Sequence, residues 1–137
     1  MSYLLDTNVV SELRKRTRAS ATVSSWFAGV DANDLFLSAL VVGELRQGTE
    51  RIRRRDPVAA ERLERWMLAL VESYAERILP VDQRIAELWG RLNVPDPLPA
   101  VDGLMAATAI VHDLTLVTRN TRQVARTGVR LHDPFRR

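Results

Sequence analysis

Short apolar runs at residues 3–6, 35–38, 77–81, 114–118 and 129–132 alternate with stretches in which apolar residues recur every three or four positions. This alternation constrains the chain more than anything else in it. Helical segments between successive strands make crossover connections, which parallel strands require, so the pattern predicts an α/β fold on a central, mainly parallel sheet of about five strands. The clearest helix is expected over residues 57–76, with Asp56 as its cap and Pro57 at its first position. Leu63, Trp66, Met67, Leu70, Val71 and Tyr74 form its apolar stripe. A further helix should follow Asp82 and carry Ile85, Leu88, Trp89 and Leu92. It should stop before residues 94–100, where three prolines forbid regular helix or central strand. That segment leads directly into Asp102 and resumes a folded pattern, so residues 1–137 are expected to form a single domain. No internal repeat or low-complexity tract interrupts it.

Three carboxylates sit where the pattern is apolar. Asp6 ends the first run. Glu44, on a helix expected after the second run, has Leu40, Val41, Gln47 and Gly48 as its neighbours at three and four residues, none of them basic. Asp102 has Met105 and Ala106 at those spacings, and Ala106, Ala107 and Ala109 make a smooth face suited to close packing. Each acid has an ordinary reading beside the functional one. Asp6 and Asp102 are suited to cap helices, and Glu44 could pair with a distant arginine.

Together they say more, because open parallel sheets place their functional crevice at the carboxyl ends of the strands, where Asp6 lies and which Glu44 and Asp102 can reach. Three carboxylates converging there would not all remain ionised without a cation among them. The chain has no cysteine and no paired histidines, which leaves oxygen ligands and points to Mg²⁺, with Mn²⁺ as the alternative. Such an ion accepts substrate phosphate as a further ligand, so the chemistry implied is phosphate-ester hydrolysis by a metal-activated water. Lys15 is the one lysine among 20 basic residues; arginine suits bidentate phosphate contact, although a GC-rich gene would give the same bias. The run Arg51 to Arg55 reads either as a solvated helix face or as a contact to RNA phosphates. No charged leader precedes an apolar run and no apolar stretch reaches the roughly 20 residues of a membrane span, so a cytoplasmic protein is expected.

The strings LLDTN at 4–8, SALVVGEL at 38–45, DGLMAATA at 102–109 and LVTRN at 116–120, taken in that order and spacing, resemble the PIN-domain ribonucleases, specifically the VapC-type toxins of bacterial toxin–antitoxin pairs. The resemblance covers essentially the whole chain. It implies a three-layer α/β/α fold and a Mg²⁺-dependent endoribonuclease with Asp6, Glu44 and Asp102 as metal-binding acids. It also implies Thr7 and Thr118 as polar supports and Asn8 as a brace of the first loop. RNA substrate, a cognate antitoxin and a homodimer come with it, the last with Trp26, Phe27 and the Trp66 helix as candidate contacts. The family usually places a fourth acid after the fourth strand. Here the candidates are the amides Asn120 and Gln123, with Gln123 where aspartate is expected, and an amide adds no negative charge.

Other enzymes fit less well. Aspartate-nucleophile phosphatases require a second aspartate where Asn8 stands, and the glycine-rich phosphate loops and the serine-hydrolase elbow are absent. His112 and His132 stand far apart without a local partner pattern. The alternative from a different class is a catalytically weakened PIN domain serving as an RNA- or protein-binding module, which the two amides favour and the three intact acids oppose.

Overall fold

The computed structural model describes residues 1–137, and its single sheet has five parallel strands in the order β3-β2-β1-β4-β5. The strands are β1 (Tyr3–Leu5), β2 (Leu35–Ser38), β3 (Ile78–Leu79), β4 (Thr115–Val117) and β5 (Leu131–His132). The helices are α1 (Thr7–Leu13), α2 (Ala21–Ala28), α3 (Ala39–Arg53), α4 (Pro57–Ser73), α5 (Gln83–Leu92), α6 (Ala100–Val111) and α7 (Thr121–Val124). Consecutive strand residues point to opposite faces, yet Leu4 and Leu5 in β1, like Leu116 and Val117 in β4, are all buried. Both faces of the sheet are therefore covered, which makes the three-layer α/β/α arrangement expected from the sequence.

The strands are shorter than the apolar runs. β3 stops at Leu79 because Pro80 has no amide hydrogen to continue the ladder. β5, an edge strand, starts only after Gly128, whose φ of +78° turns the chain in a conformation that favours glycine. α4 has its expected cap, Asp56 accepting from the Ala59 amide at 3.0 Å, but it ends at Ser73 rather than residue 76. Tyr74 leaves the helical conformation there, its ring buried, and a short 3-10 turn (Ala75–Arg77) enters β3. α5 is capped by Asp82 as expected.

The topology fixes where a site can form. The chain builds β1, β2 and β3 to one side, then crosses back to place β4 on the other side of β1. The connections after β1 and β4 thus diverge, and a crevice opens between them at the carboxyl ends of the strands. Beyond the strands proper, the Asp6 amide donates to Val117 O at 2.9 Å and the Thr118 amide to His132 O at 3.0 Å. Asp6 and Thr118 are consequently held by the sheet itself.

The aromatic residues expected at a subunit contact are half-buried against the core. Trp26 packs edge-on to Tyr3, with centroids 5.2 Å apart, and against His132, while Phe27 and Trp66 pack on the core. The exposed large apolar residues of α4 are instead Val58 and Leu68. In the Arg51 to Arg55 run, Arg53 is taken up by Glu50, Glu61 and Glu64, whereas Arg51, Arg54 and Arg55 are exposed. No helix is long and apolar enough to cross a membrane.

Candidate active site

Asp6 stands at the N-cap of α1 and is 7% exposed. Its Oδ1 accepts from the Thr7 amide at 2.8 Å, and its Oδ2 accepts from the Thr118 hydroxyl at 2.7 Å and from Asn8 Nδ2 at 3.3 Å. The cap reading of Asp6 holds, and it engages only Oδ1, leaving Oδ2 to Thr118 and Asn8. Thr118 Oγ1 also accepts from Asn8 Nδ2 at 3.3 Å and from the Asn120 amide at 3.0 Å. Since both of those partners are donors, the single hydroxyl proton of Thr118 is committed to Asp6. The Arg119 amide donates to Asn8 Oδ1 at 3.2 Å, so Asn8 ties α1 to the loop after β4.

Glu44 projects from the sixth position of α3, a helix capped by Ser38, which accepts from the Leu40 amide. Its partner is the Thr7 hydroxyl at 2.5 Å, and no arginine or lysine pairs with it. The distant salt bridge that would have made Glu44 ordinary is absent. Asp102 is not a cap either. Pro99 occupies the N-cap of α6 and Asp102 lies in the first turn, half-buried. Proline at 99 contributes no side-chain acceptor, so the carboxylate is free of the capping role the sequence allowed.

Asp6, Asp102, Thr118 and Asn120 line one narrow crevice over an apolar floor of Met105, Leu116 and Val124. Glu44 approaches from the α3 side, across Thr7. Burial pushes the Asp102 carboxyl above the ordinary carboxylate range, and the charges of Asp6 and Glu44 push it the same way. The three acids therefore converge electrostatically. They are not drawn into a closed cage: no group of three acidic or histidine side chains is close enough to enclose an ion by itself. Gln123 is exposed on α7 and does not line the crevice, so of the two amides only Asn120 stands at its fourth side.

One arginine of the loop after β4 has a partner that the sequence does not reveal. Arg119 follows Thr118 directly, and its guanidinium lies 3.6 Å from the centroid of the Phe135 ring. The aromatic partner is distant in sequence, which is why the LVTRN string alone gave no hint of it.

The model of the PIN domain family matches residues 3–129. The chain belongs to the PIN domain family. Within it, the chain is similar to the toxin FitB of Neisseria gonorrhoeae, at 35% identity with 96% of this chain and 97% of that protein aligned. A VapC ribonuclease of Sinorhizobium fredii is 32% identical, with 96% of each chain aligned. Among solved structures, a chain of FitAB bound to a DNA fragment superposes with a TM-score of 0.83 at 31% identity, covering 98% of this chain and 96% of that one. These relatives establish the VapC-type PIN fold that the four sequence strings resemble.

The all-oxygen set of Asp6, Glu44, Asp102 and Asn120 fits a hard divalent cation, and the charges of Asp6 and Glu44, which add to burial in raising the Asp102 carboxyl, are what such an ion would relieve.

Proposed function

We propose that the protein is the toxin of a toxin–antitoxin pair and acts as a Mg²⁺-dependent endoribonuclease that hydrolyses a phosphodiester bond of RNA. The observation that carries this reading is the crevice at the β1/β4 switch point. There Asp6 is locked by three donors, and Asp102 and Glu44 bring further negative charge with no basic partner. Relatives named as a toxin and as a VapC ribonuclease support it.

Asp6, Asp102 and Glu44 would hold Mg²⁺ or Mn²⁺, directly or through water. When bound, the ion supplies a water of lowered pKa and stabilises charge on the phosphoryl oxygens. The chain's own residues position the reactants. Thr118 and Asn8 fix the plane of the Asp6 carboxylate, Thr7 fixes Glu44, and the Asn120 amide offers both an acceptor and donors toward the crevice. Water attack at phosphorus forms one P–O bond as the bond to the leaving ribose oxygen breaks, and the proton that the water gives up balances the one that this oxygen takes up. The partner in this reading is an antitoxin that covers the crevice, and the toxin is a homodimer.

Cleavage of labelled RNA by the purified, partner-free protein tests this, with Mg²⁺ titrated and EDTA as the blank. Cleavage should require the ion and should be lost in Asp6→Asn. RNA bound but never cut at any Mg²⁺ or Mn²⁺ concentration would replace the nuclease with a binding module.

A further inference from the structure

A second basic feature lies away from the crevice, where the end of α1 meets α4. Arg14, Arg16, Arg62, Ala59, Leu63 and Trp66 line an open cavity of about 320 Å³ with no acidic residue in its wall. That volume lies in the range of small-ligand sites. Arg14, Arg16 and Arg62 are free of carboxylate partners, in contrast to Arg46 and Arg53, which Glu50 and Glu64 engage between α3 and α4. The Arg14 guanidinium comes only to 6.0 Å from the centroid of the Trp66 ring, the outer limit of a cation–π contact, so the half-buried indole is not closed off by stacking.

We propose that this cavity holds one unpaired nucleotide of the RNA substrate away from the cleaved bond, with its base against Trp66 and its phosphate among the arginines. The inference rests on RNA being the substrate. Guanidinium groups match phosphate oxygens bidentately, and an aromatic ring accepts any unpaired base. The carboxylates of an acidic peptide would satisfy the cations, but they do not stack on the indole as a planar base does. The position also suits a substrate strand. α1 starts at the crevice, where Asp6 caps it, and its seven residues carry the chain about 10 Å to Arg14. A single strand cut at the crevice has its neighbouring nucleotides within that distance.

The test is the affinity of a fluorescein-labelled single-stranded RNA in EDTA, measured against salt for wild type, Arg14→Gln, Arg62→Gln and Trp66→Ala, together with kcat and KM in Mg²⁺. Each arginine variant should lower the slope of log affinity against log salt by about 0.7. Trp66→Ala should weaken binding by about fivefold to hundredfold. KM should rise in all three with kcat unchanged. Trp66 packs on the core, so the two arginine variants carry the test if Trp66→Ala fails to fold. Unchanged affinity and salt slope in both arginine variants, with cleavage intact, overturn the cavity proposal and leave the nuclease standing. The expected slopes with no cleavage by any variant support the cavity and overturn the nuclease. Loss of binding to a protein partner with RNA affinity unchanged assigns the cavity to an acidic protein segment and overturns the proposal.

Discussion

Asp6 and Asp102 line the same crevice but live in different surroundings, and the difference makes their substitutions distinguishable. Asp6→Asn, Glu44→Gln and Asp102→Asn should each abolish Mg²⁺-dependent cleavage while the fold survives, because each removes charge at nearly constant volume; full activity in any one removes that residue from the metal set. Asp102→Asn should also stabilise the protein in EDTA. Its carboxyl is raised by burial and by Asp6 and Glu44, so the folded state holds the Asp102 proton more tightly than the unfolded state does. Below the unfolded carboxylate range both states are protonated and nothing is lost. As pH rises through the folded titration the wild type loses stability that the amide keeps. Melting temperatures of the two proteins should therefore coincide in acid and separate toward neutral pH, and a gap independent of pH would refute the assignment of that shift. The fourth side of the site is a lesson in what sequence spacing leaves open. Counting from the LVTRN string pointed to Gln123 as the place of the missing acid, but the chain enters α7 at Thr121 and turns Gln123 outward, leaving Asn120 at the crevice. Asn120→Asp should lower the Mg²⁺ concentration for half-maximal cleavage, by about 10- to 100-fold if it acts like other residues supporting a metal, and Gln123→Asp should not. A shift with Gln123→Asp alone would mean that α7 turns differently when RNA is bound.

At the scale of elements, periodicity made the helices legible, but not the contacts that aim them. Leu4, Leu5, Leu35 and Leu37 are apolar enough to announce buried strands, and Asp56 and Asp82 announce helix starts that the structure has. Asp102 invited a cap reading because the proline that occupies that position is itself a poor cap, and no rule of spacing reveals that α6 begins at Ala100. What sets the angle of α6 is equally non-local. A Cβ on Gly103 would stand 3.1 Å from the Trp89 ring of α5 and 3.3 Å from Leu98 Cβ, so glycine lets the two helices close and fixes the neighbouring Asp102 over the crevice. Gly103→Ala should gain about 1 kcal/mol of helix propensity and lose about 1–3 kcal/mol to overpacking. The expected result is a protein less stable by about 1 kcal/mol in urea, with a higher Mg²⁺ requirement because Asp102 has moved. A Gly103→Ala protein more stable than wild type would show that α5 and α6 have room to spare.

The whole molecule sets an acidic crevice at the switch point of the sheet within a chain of net charge +3, with arginines free of carboxylate partners beyond α1. In the proposed function the basic surround would draw RNA, and the crevice a divalent ion. A protein that silences the enzyme has an economical way to do so, which is to place a guanidinium among Asp6, Asp102 and Glu44 where the ion would sit, since a charge-assisted contact there relieves the same repulsion. The proposed toxin should arrest growth when expressed alone, and Asp6→Asn should be harmless. Co-expression of the cognate antitoxin should restore growth. If its basic group and Mg²⁺ compete for one position, each must weaken the binding of the other by the same factor. The dissociation constant of the purified pair should then rise as Mg²⁺ is added, and the Mg²⁺ dependence should flatten in Asp6→Asn. A partner whose affinity ignores Mg²⁺ binds elsewhere, and growth arrest that persists in Asp6→Asn would separate toxicity from the crevice altogether.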